Sequence, residues 1–408
     1  MLNFIWVAFF ISAFLAAVYQ TIFVGSTEVW TEIIGATFVS AKTAFTVSIN
    51  LTGILCLWIG LLKIAEASGL TNMLAKALSP LFKRIMPEIP ANHPSLSSMI
   101  MNIAANMLGL DNAATPMGIK AMEQMQELNK SKDTASNSQI MFMVINSSAV
   151  TIIPITILMY RAEFGSVNPT AVFIPILLAT SISTLCGFLS VAAIQRINIF
   201  NKVVMAYLLG FAAFIGLVIY GFNSMEPAER MRYSADFGNF ILFGIMIGFI
   251  ISGVVKKINV YETFIAGAKE GFEIAVRIIP YLVAMLVAIG VLRASGALDL
   301  VLLWLEKAIA FFGFSTDYVA ALPTAIMKPL SGSGARAMMI ETFQNYGVDS
   351  FSSFVASVVQ GSTETTFYVL AVYFGAVKIT KIRHALGCSL FADAVGITLA
   401  IVFARMFF

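Results

Sequence analysis

Six stretches of the chain carry no charged residue and are long enough to cross a lipid bilayer, which takes roughly 20 apolar residues in a helix. They are residues 1–27, 43–62, 134–160, 164–195, 203–225 and 237–255. Within a bilayer every backbone N–H and C=O group needs a partner inside the protein, so segments of this kind cross as α-helices. Only 12 % of the 408 residues are charged, whereas soluble domains carry about 25 %. The sequence therefore predicts an all-α polytopic membrane protein.

Several classes of function are disfavoured by what the chain lacks. The net charge of +3 is spread along the sequence, so no nucleic-acid partner is expected. Cys56, Cys186 and Cys388 lie far apart in apolar segments, and His93 and His384 are isolated. Because no metal-ligand spacing, P-loop or nucleophile elbow is present, we expect no cofactor, no metal and no enzyme activity.

The chain resembles itself at two places, which indicates an internal repeat. "LWIGLLKIAEASGLTNML" (57–74) is similar to "LVAIGVLRASGALDLVLL" (286–303). "INSSAVTIIPITILMY" (145–160) is similar to "VQGSTETTFYVLAVYF" (359–374).

These similarities divide the chain into two domains, residues 1–200 and 201–408. Amphipathic helices are expected at 70–84 and 297–313, and the helix pair within 203–255 joins the two halves.

The basic loops predict how the chain crosses the membrane, because cytoplasmic loops are rich in Lys and Arg. Residues 129–133, 195–202 and 254–257 carry such bases in the first half and the connection, and 378–383 carry them in the second half. The basic loop follows its span in one half and precedes the equivalent span in the other, so the repeats have inverted topology. Residues 1–27 are interpreted as a retained anchor with a cytoplasmic N-terminus in the bacterial inner membrane.

Each repeat also contains interrupted helices. Residues 95–128 and 316–346 are predicted to be re-entrant hairpins, with tips at "GLDNAATP" and "KPLSGSGAR". Residues 138–161 and 351–376 are predicted to be broken transmembrane helices, interrupted at "NSS" and "QGSTET". Such breaks are tolerated at membrane depth only inside protein or beside water, and the ends of half-helices attract ions and polar groups.

The polar residues at these four interruptions are our candidates for a solute-binding site. They are Asp111, Asn112, Thr115, Asn146, Ser147, Ser148, Lys328, Ser331, Ser333, Arg336, Gln360, Ser362, Thr363, Glu364 and Thr365.

Glu364 is a single charge inside a long apolar span. Ionisable residues within a membrane are costly and usually functional, so we interpret Glu364 and Asp111 as carriers of a coupling ion, H⁺ or Na⁺. The structural alternative for Glu364 is an ion pair with Lys328 or Arg336 in a packed core. The alternative for Asp111 is that it caps the following helix and pairs with a base near the surface.

Other candidates also have two interpretations. Lys328 and Arg336 suit a carboxylate or phosphate of a solute, or they neutralise Glu364. The small polar residues of "NSS" contact a solute or hold helices together by packing. Asp393, alone in the last span, is either paired structurally or functional.

The motifs resemble a known group of membrane proteins. "WIGLLKIAEASGL", "NAATPMGIKAMEQM" and "NSSAVTIIPITI" are similar to the spore maturation A family. "EGFEIAVRIIPYLVAMLVAIGVLRASGALD", "KPLSGSGARAM" and "VVQGSTETTFYVLAVYFGAVKI" are similar to the spore maturation B family. The chain resembles a fusion of the two, over 1–200 and 203–408. Both resemble nucleoside-recognition, or gate, domains, which are similar in plan to concentrative nucleoside transporters.

The resemblance implies two opposed re-entrant hairpins and two broken helices, and a family role, in spore-formers, in dehydration of the spore core. A-type sequences carry a glycine where this chain has Asp111, which weakens a general role for that acid.

We therefore expect a secondary transporter of a small polar or amphiphilic metabolite, nucleoside-like by resemblance. Cation coupling, alternating access and a homo-oligomer in the lipid bilayer are expected with it. The alternative is a non-transporting scaffold or gate component, in which the breaks are closed and their polar groups are paired within the protein.

Overall fold

The computed structural model describes residues 2–90, 92–108 and 111–408, with side chains throughout except at 2, 71, 111–113 and 227–228. These residues form α-helices and no β-strand, which confirms the all-α prediction. The helices of the first half are α1 (Leu2–Tyr19), α2 (Glu28–Ala67), α3 (Leu70–Ile85), α4 (Pro94–Met107), α5 (Asp111–Leu128), α6 (Asn137–Ser147), α7 (Ile155–Glu163) and α8 (Phe173–Gln195). The connecting pair is α9 (Lys202–Asn223) and α10 (Pro227–Val255). The second half holds α11 (Val260–Ala294), α12 (Ala297–Phe311), α13 (Leu322–Leu330), α14 (Gly332–Tyr346), α15 (Phe351–Ser362), α16 (Thr366–Ala376) and α17 (Ala385–Phe407).

Within the described ranges, seven helical segments are long and apolar enough to cross a membrane. They are Asn3–Val24, Glu28–Ala67, Pro169–Gln195, Lys202–Asn223, Glu229–Val255, Val260–Ala294 and Ala385–Phe407. Large apolar side chains on the outside of these segments, such as Phe38, Leu217 and Phe240, are exposed. Apolar side chains exposed along such segments are stabilised by contact with lipid. The seven segments and their apolar outer surface together make the chain a multi-pass membrane protein.

The order of elements occurs twice. In each half a long helix (α2 or α11) ends at a glycine and is followed by an amphipathic helix (α3 or α12). A helix pair comes next (α4 and α5, or α13 and α14), then a broken helix and a final long helix (α8 or α17). The glycines, Gly69 and Gly296, have φ of 78° and 71°, a left-handed conformation that favours glycine. Helices are thus present at both places where the sequence predicts an amphipathic helix, Leu70–Ile85 and Ala297–Phe311.

Equivalent long helices pack against each other, α2 on α11 and α8 on α17. Glycines allow the close approach. A Cβ at Gly267 of α11 would lie 2.6 Å from the carbonyl oxygen of Ile59, and one at Gly271 would lie 2.8 Å from the Cα of Cys56. Small residues of this kind are what brings membrane helices close enough to stabilise each other by van der Waals contact.

Both expected broken helices are present. α6 ends at Ser147 and α7 begins only at Ile155, while α15 ends at Ser362 and α16 begins at Thr366. The peptide N–H of Glu364 donates to the carbonyl oxygen of Ser147 at 3.0 Å, so the two breaks touch.

The breaks in the two helix pairs are narrower than the sequence predicts. Only Ser331 separates α13 from α14, because its hydroxyl accepts from the N–H of Gly334 and caps the new helix at once. In the first half, Thr115 and Pro116 lie within α5 and not in a turn. Gly109, the other residue expected at that turn, is outside the described residues.

Contacts between loops show that the broken helices run in opposite directions. Ala135, just before α6, donates its N–H to the carbonyl oxygen of Lys381, just after α16, at 3.0 Å. An ion pair between Lys381 and Asp133 at 2.7 Å joins the same loops and lowers the pKa of the Asp133 carboxyl. At the other end Arg161 of α7 binds Asp349, just before α15, at 3.0 Å. The re-entrant course of the helix pairs and the inverted placement of the halves in the membrane stay predictions.

Thiol labelling tests that placement. We replace the three native cysteines and introduce Lys130→Cys, Lys378→Cys or Val167→Cys, all at exposed positions. Residues 130 and 378 lie in the paired basic loops, so a membrane-impermeant maleimide should label both only after cells are opened, whereas position 167 should react in intact cells. Labelling of 130 and 378 from opposite faces would contradict the inverted arrangement.

A buried arginine, Arg161, joins the two broken helices at the end opposite the paired basic loops. Arg161 is 1 % exposed, and its guanidinium donates to the carbonyl oxygen of Val348, the hydroxyl of Ser357 and the carboxylate of Asp349. Removing one partner of a buried, bonded charge pair costs about 3 kcal/mol. We expect Arg161→Ala to lower the unfolding temperature of the purified protein by several degrees.

The matched control is Arg232→Ala. The side chain of Arg232 is 81 % exposed, and its pair with Asp236 spans 3.7 Å, so its loss should change stability by about 1 kcal/mol or less. Equal melting temperatures for the two variants would show that Arg161 does not hold the halves together.

Candidate functional site

The breaks of the second half surround a cavity of about 710 Å³, which we call the break cavity. Its walls come from the junction of α13 and α14 and from the break between α15 and α16. Single residues of four other helices complete it: Asn106 of α4, Thr115 of α5, Asn146 of α6 and Tyr281 of α11. The cavity is therefore built by both halves of the chain.

The break cavity brings together many of the residues singled out from the sequence. Those that line it are Thr115, Asn146, Lys328, Ser331, Ser333, Arg336, Gln360, Glu364 and Thr365.

Three of the predicted serines do not line the break cavity. The hydroxyls of Ser147, Ser148 and Ser362 each donate to a backbone carbonyl one turn earlier in their own helix, at 3.1, 2.8 and 2.8 Å. The Ser147 hydroxyl also bonds the hydroxyl of Ser389 at 2.8 Å, as acceptor when its own proton goes to the carbonyl. These bonds satisfy the hydroxyls inside the protein, as the packing interpretation of "NSS" expects.

The remaining candidates lie elsewhere. Thr363 is buried behind the cavity wall, with 3 % of its surface exposed. The side chains of Asp111 and Asn112 are outside the described residues, so their predicted roles stay predictions.

The break between α15 and α16 positions Glu364. Thr363 is extended, with φ of −148°, and Glu364 follows it into the gap before α16. The bond from the Glu364 N–H to Ser147 holds this segment and satisfies a carbonyl that the end of α6 would otherwise leave without a partner. The side chain of Glu364, half-buried, lines the cavity.

Several charged and polar side chains of the cavity are buried or half-buried, and some of their atoms form no hydrogen bond. Lys328 is 5 % exposed, and Arg336 lies over the ring of Tyr160 at 5.9 Å with its Nε atom buried and without a hydrogen bond. None of the ion pairs between described residues includes Glu364. The Oε1 atom of Gln360 is buried without a hydrogen bond as well. Unsatisfied buried polar atoms are costly, which favours a role in holding a polar guest.

Sequence reasoning missed several wall residues. Asn106 donates from its amide to Asn146 at 2.8 Å, and Asn102, one turn earlier, donates to the hydroxyl of Tyr373 at 3.2 Å. Two asparagines at i and i+4 on an apolar helix share one face, and that spacing was a readable signal for a polar contact. The aromatic walls, which include Tyr281 and Tyr373, left no such signal.

Comparison with known proteins places the chain in a family. The model of the gate family, described as nucleoside recognition, matches residues 48–167 and 275–380, and the chain belongs to that family. The description is one of a recognition domain and not of an enzyme family.

Two curated relatives come from Bacillus subtilis (strain 168). Spore maturation protein B is 47 % identical over 164 residues, which cover 40 % of this chain and 90 % of the relative. Spore maturation protein A is 40 % identical over 183 residues, which cover 45 % of this chain and 90 % of the relative. The two match different parts of the chain, as a fusion requires, and confirm the resemblance read from the motifs. No solved structure matches the chain.

A close contact behind the cavity wall gives a stability test. Gly118 of α5 faces Tyr373 of α16, and a Cβ at Gly118 would lie 2.4 Å from the tyrosine ring. Gly118→Ala should displace the ring and lower stability by about 1–3 kcal/mol, as overpacking does. Gly375→Ala is the control, since a Cβ there meets no atom within 4 Å. A thermal melt compares them, and a Gly118→Ala protein as stable as the control would contradict this packing.

Proposed function

We propose that this protein is a secondary transporter of a small polar or amphiphilic metabolite and that the break cavity holds the solute. The observation that carries the proposal is the cavity itself, in which two helix breaks bring Glu364, Gln360, Lys328 and Arg336 together. Its volume of about 710 Å³ lies within the range of roughly 300–1,000 Å³ typical of small-molecule sites.

The mixture of side chains favours a solute with both a ring and polar groups. Phe367, Tyr368 and Tyr373 supply aromatic surface, on which a planar ring stacks. Gln360 and Glu364 supply an amide and a carboxylate that bind ring nitrogens or hydroxyls. A nucleoside-like solute combines these features, and the description of the family as nucleoside recognition supports this choice.

The half-helices add fixed dipoles to the site. α14 begins at Gly332 and α16 at Thr366, so two helix N-termini lie at the breaks that line the cavity. Helix N-termini stabilise negative groups and C-termini stabilise positive ones. With Lys328 and Arg336 present, the site also suits a solute that carries an anionic group.

In our proposal the two domains, residues 1–200 and 201–408, give the cavity alternating access to the two faces of the membrane. One segment of the family match lies in each of them, and the broken helices run in opposite directions. Movement of the hairpin-bearing elements against the long helices would open the cavity first to one face of the membrane and then to the other.

The second candidate is a non-transporting scaffold or gate component. It is favoured by the break of the first half, where Asn146, Ser147 and Ser148 are hydrogen-bonded inside the protein. The names of the spore maturation relatives are compatible with it. Two observations weigh against it, because a closed scaffold should pair its buried polar groups. The Oε1 atom of Gln360 is buried without a hydrogen bond, and Glu364 is in no ion pair between described residues.

Ligand-induced thermal stabilisation tests the proposal. We expect a solute from a panel of nucleosides, amino acids, small dicarboxylates and peptidoglycan fragments to raise the unfolding temperature. A ligand at 100 times its Kd adds about 2.7 kcal/mol of stability. Glu364→Gln and Gln360→Ala should each abolish the shift, since both remove a polar contact in the cavity.

The control is Glu262→Gln, which removes an exposed carboxylate at the start of α11 and should leave the shift intact. No stabilisation by any solute, with Glu364→Gln as stable as the unmodified protein, would favour the scaffold.

A further inference from the structure

Asp393 lies on α17, behind the break cavity. Its residue is 2 % exposed, and neither carboxylate oxygen has a hydrogen-bond partner. A buried carboxylate without a partner is among the most costly arrangements in a protein, and more so inside a membrane. Asp393 takes part in none of the ion pairs between described residues.

Two hydroxyls face this carboxylate. They belong to Thr366, the first residue of α16, and to Thr363, in the break before it. Both threonines are buried, and both hydroxyl oxygens are without a hydrogen bond. Four buried oxygens, two from Asp393 and one from each threonine, thus lie at one place. The two hydroxyls carry protons that the carboxylate could accept, but neither forms a hydrogen bond of normal geometry with it in this structure.

The close packing of α17 on the break creates this meeting point. Gly396, one turn beyond Asp393, has no side chain where Thr363 lies, and a Cβ there would be 2.7 Å from the Cγ2 atom of Thr363. Ser183 of α8 fills the other side, and its hydroxyl donates to the carbonyl oxygen of Ala392 at 2.8 Å. The proton of the Ser183 hydroxyl is thereby already used in a hydrogen bond and is not available to the four oxygens.

The charges near Asp393 belong to the break cavity. Lys328 of α13 attracts the carboxylate electrostatically, and Glu364 of the break repels it. Of the other helices packed against α17, α6, α8, α15 and α16 contain no Asp, Glu, Lys, Arg or His. α10 contains Glu229, Arg230, Arg232 and Asp236, and its Arg230 donates to the carbonyl oxygen of Met406, near the C-terminal end of α17. Asp393 and Glu364 thus bring two negative charges against the one positive charge of Lys328, which favours binding of a further positive charge.

We propose that Asp393, Thr363 and Thr366 form the binding site of the coupling cation, a single positive charge supplied as Na⁺ or as H⁺. Carboxylate and hydroxyl oxygens are ligands that small hard cations prefer, and a protonated carboxyl would donate to either threonine hydroxyl. Thr363 also follows directly on the C-terminus of α15, whose dipole favours a cation.

This proposal rests on the proposed transport function. It explains how binding of the cation would be coupled to binding of the solute. Thr363 and Thr366 flank Glu364 in the same break, so a cation that draws the two hydroxyls onto α17 also fixes the wall of the break cavity. Asp393 then takes the cation, and Glu364 is left to contact the solute. The coupling role that the sequence suggested for Glu364 and Asp111 moves to α17 in this proposal.

Thermal melts of the purified full chain, without any solute, test the site. One series exchanges choline for Na⁺ at constant ionic strength, and a second varies pH without Na⁺. A saturable rise in unfolding temperature with Na⁺ identifies a sodium site, and a rise on acidification alone identifies a proton site. Asp393→Asn should abolish the response, while Asp236→Asn, at an exposed acid, should keep it.

Thr366→Val provides a variant that keeps size and shape. In the sodium case it should weaken the apparent affinity about tenfold, because one ligand oxygen is lost. An unmodified protein that does not respond to Na⁺, with a pH dependence that Asp393→Asn leaves unchanged, would overturn the proposal.

The same melts separate this proposal from the transport proposal. Glu364→Gln should lose the response to solute and keep the response to the cation. A melting temperature that responds to the cation but to no solute would support the site at Asp393 and contradict the transport proposal. A response to a solute but to no cation would support the transport proposal and contradict the site at Asp393.

Discussion

The rest of this structure depends on one constraint: the backbone N–H and C=O groups exposed at a helix break inside the membrane need hydrogen-bond partners. Lipid offers no partner for the groups that a helix break exposes, so breaks persist only where protein or a bound guest supplies one. Here the N–H of Glu364 in one break meets the carbonyl oxygen of Ser147 in the other at 3.0 Å. That single bond sets the two interrupted helices side by side and places the Glu364 side chain at the cavity.

The same constraint explains the division of roles between the halves. In the first half, the hydroxyls of Ser147 and Ser148 are hydrogen-bonded within the protein. In the second half, Gln360 and Thr363 keep buried oxygens without partners. The serines of the first break are thus bonded within the protein, whereas polar oxygens of the second break are free to bind a guest, which suits a supporting break beside a binding site.

Much of the architecture could be predicted from the sequence because a membrane allows so few solutions. Uncharged runs had to be helices, and polar clusters such as "QGSTET" had to be interruptions; Glu364 was recognisable as a lone intramembrane charge. The widths of the breaks at Ser331 and near Asp111 were overestimated, because a single capping residue is enough to restart a helix. The aromatic walls formed by Tyr281 and Tyr373 could not be foreseen, since a sequence does not say which helix faces meet.

The central claim is that the break cavity holds a solute and opens to each face of the membrane in turn. Water access to the cavity tests this claim most directly. With the native cysteines replaced, Ser333→Cys puts a thiol on the cavity wall. The transporter account predicts that a membrane-impermeant maleimide, applied separately to each face of sealed and inverted vesicles, reacts with this thiol from both faces and that a bound solute slows the reaction. A thiol that stays unreactive from both faces of the folded protein would contradict the account and identify the breaks as closed packing.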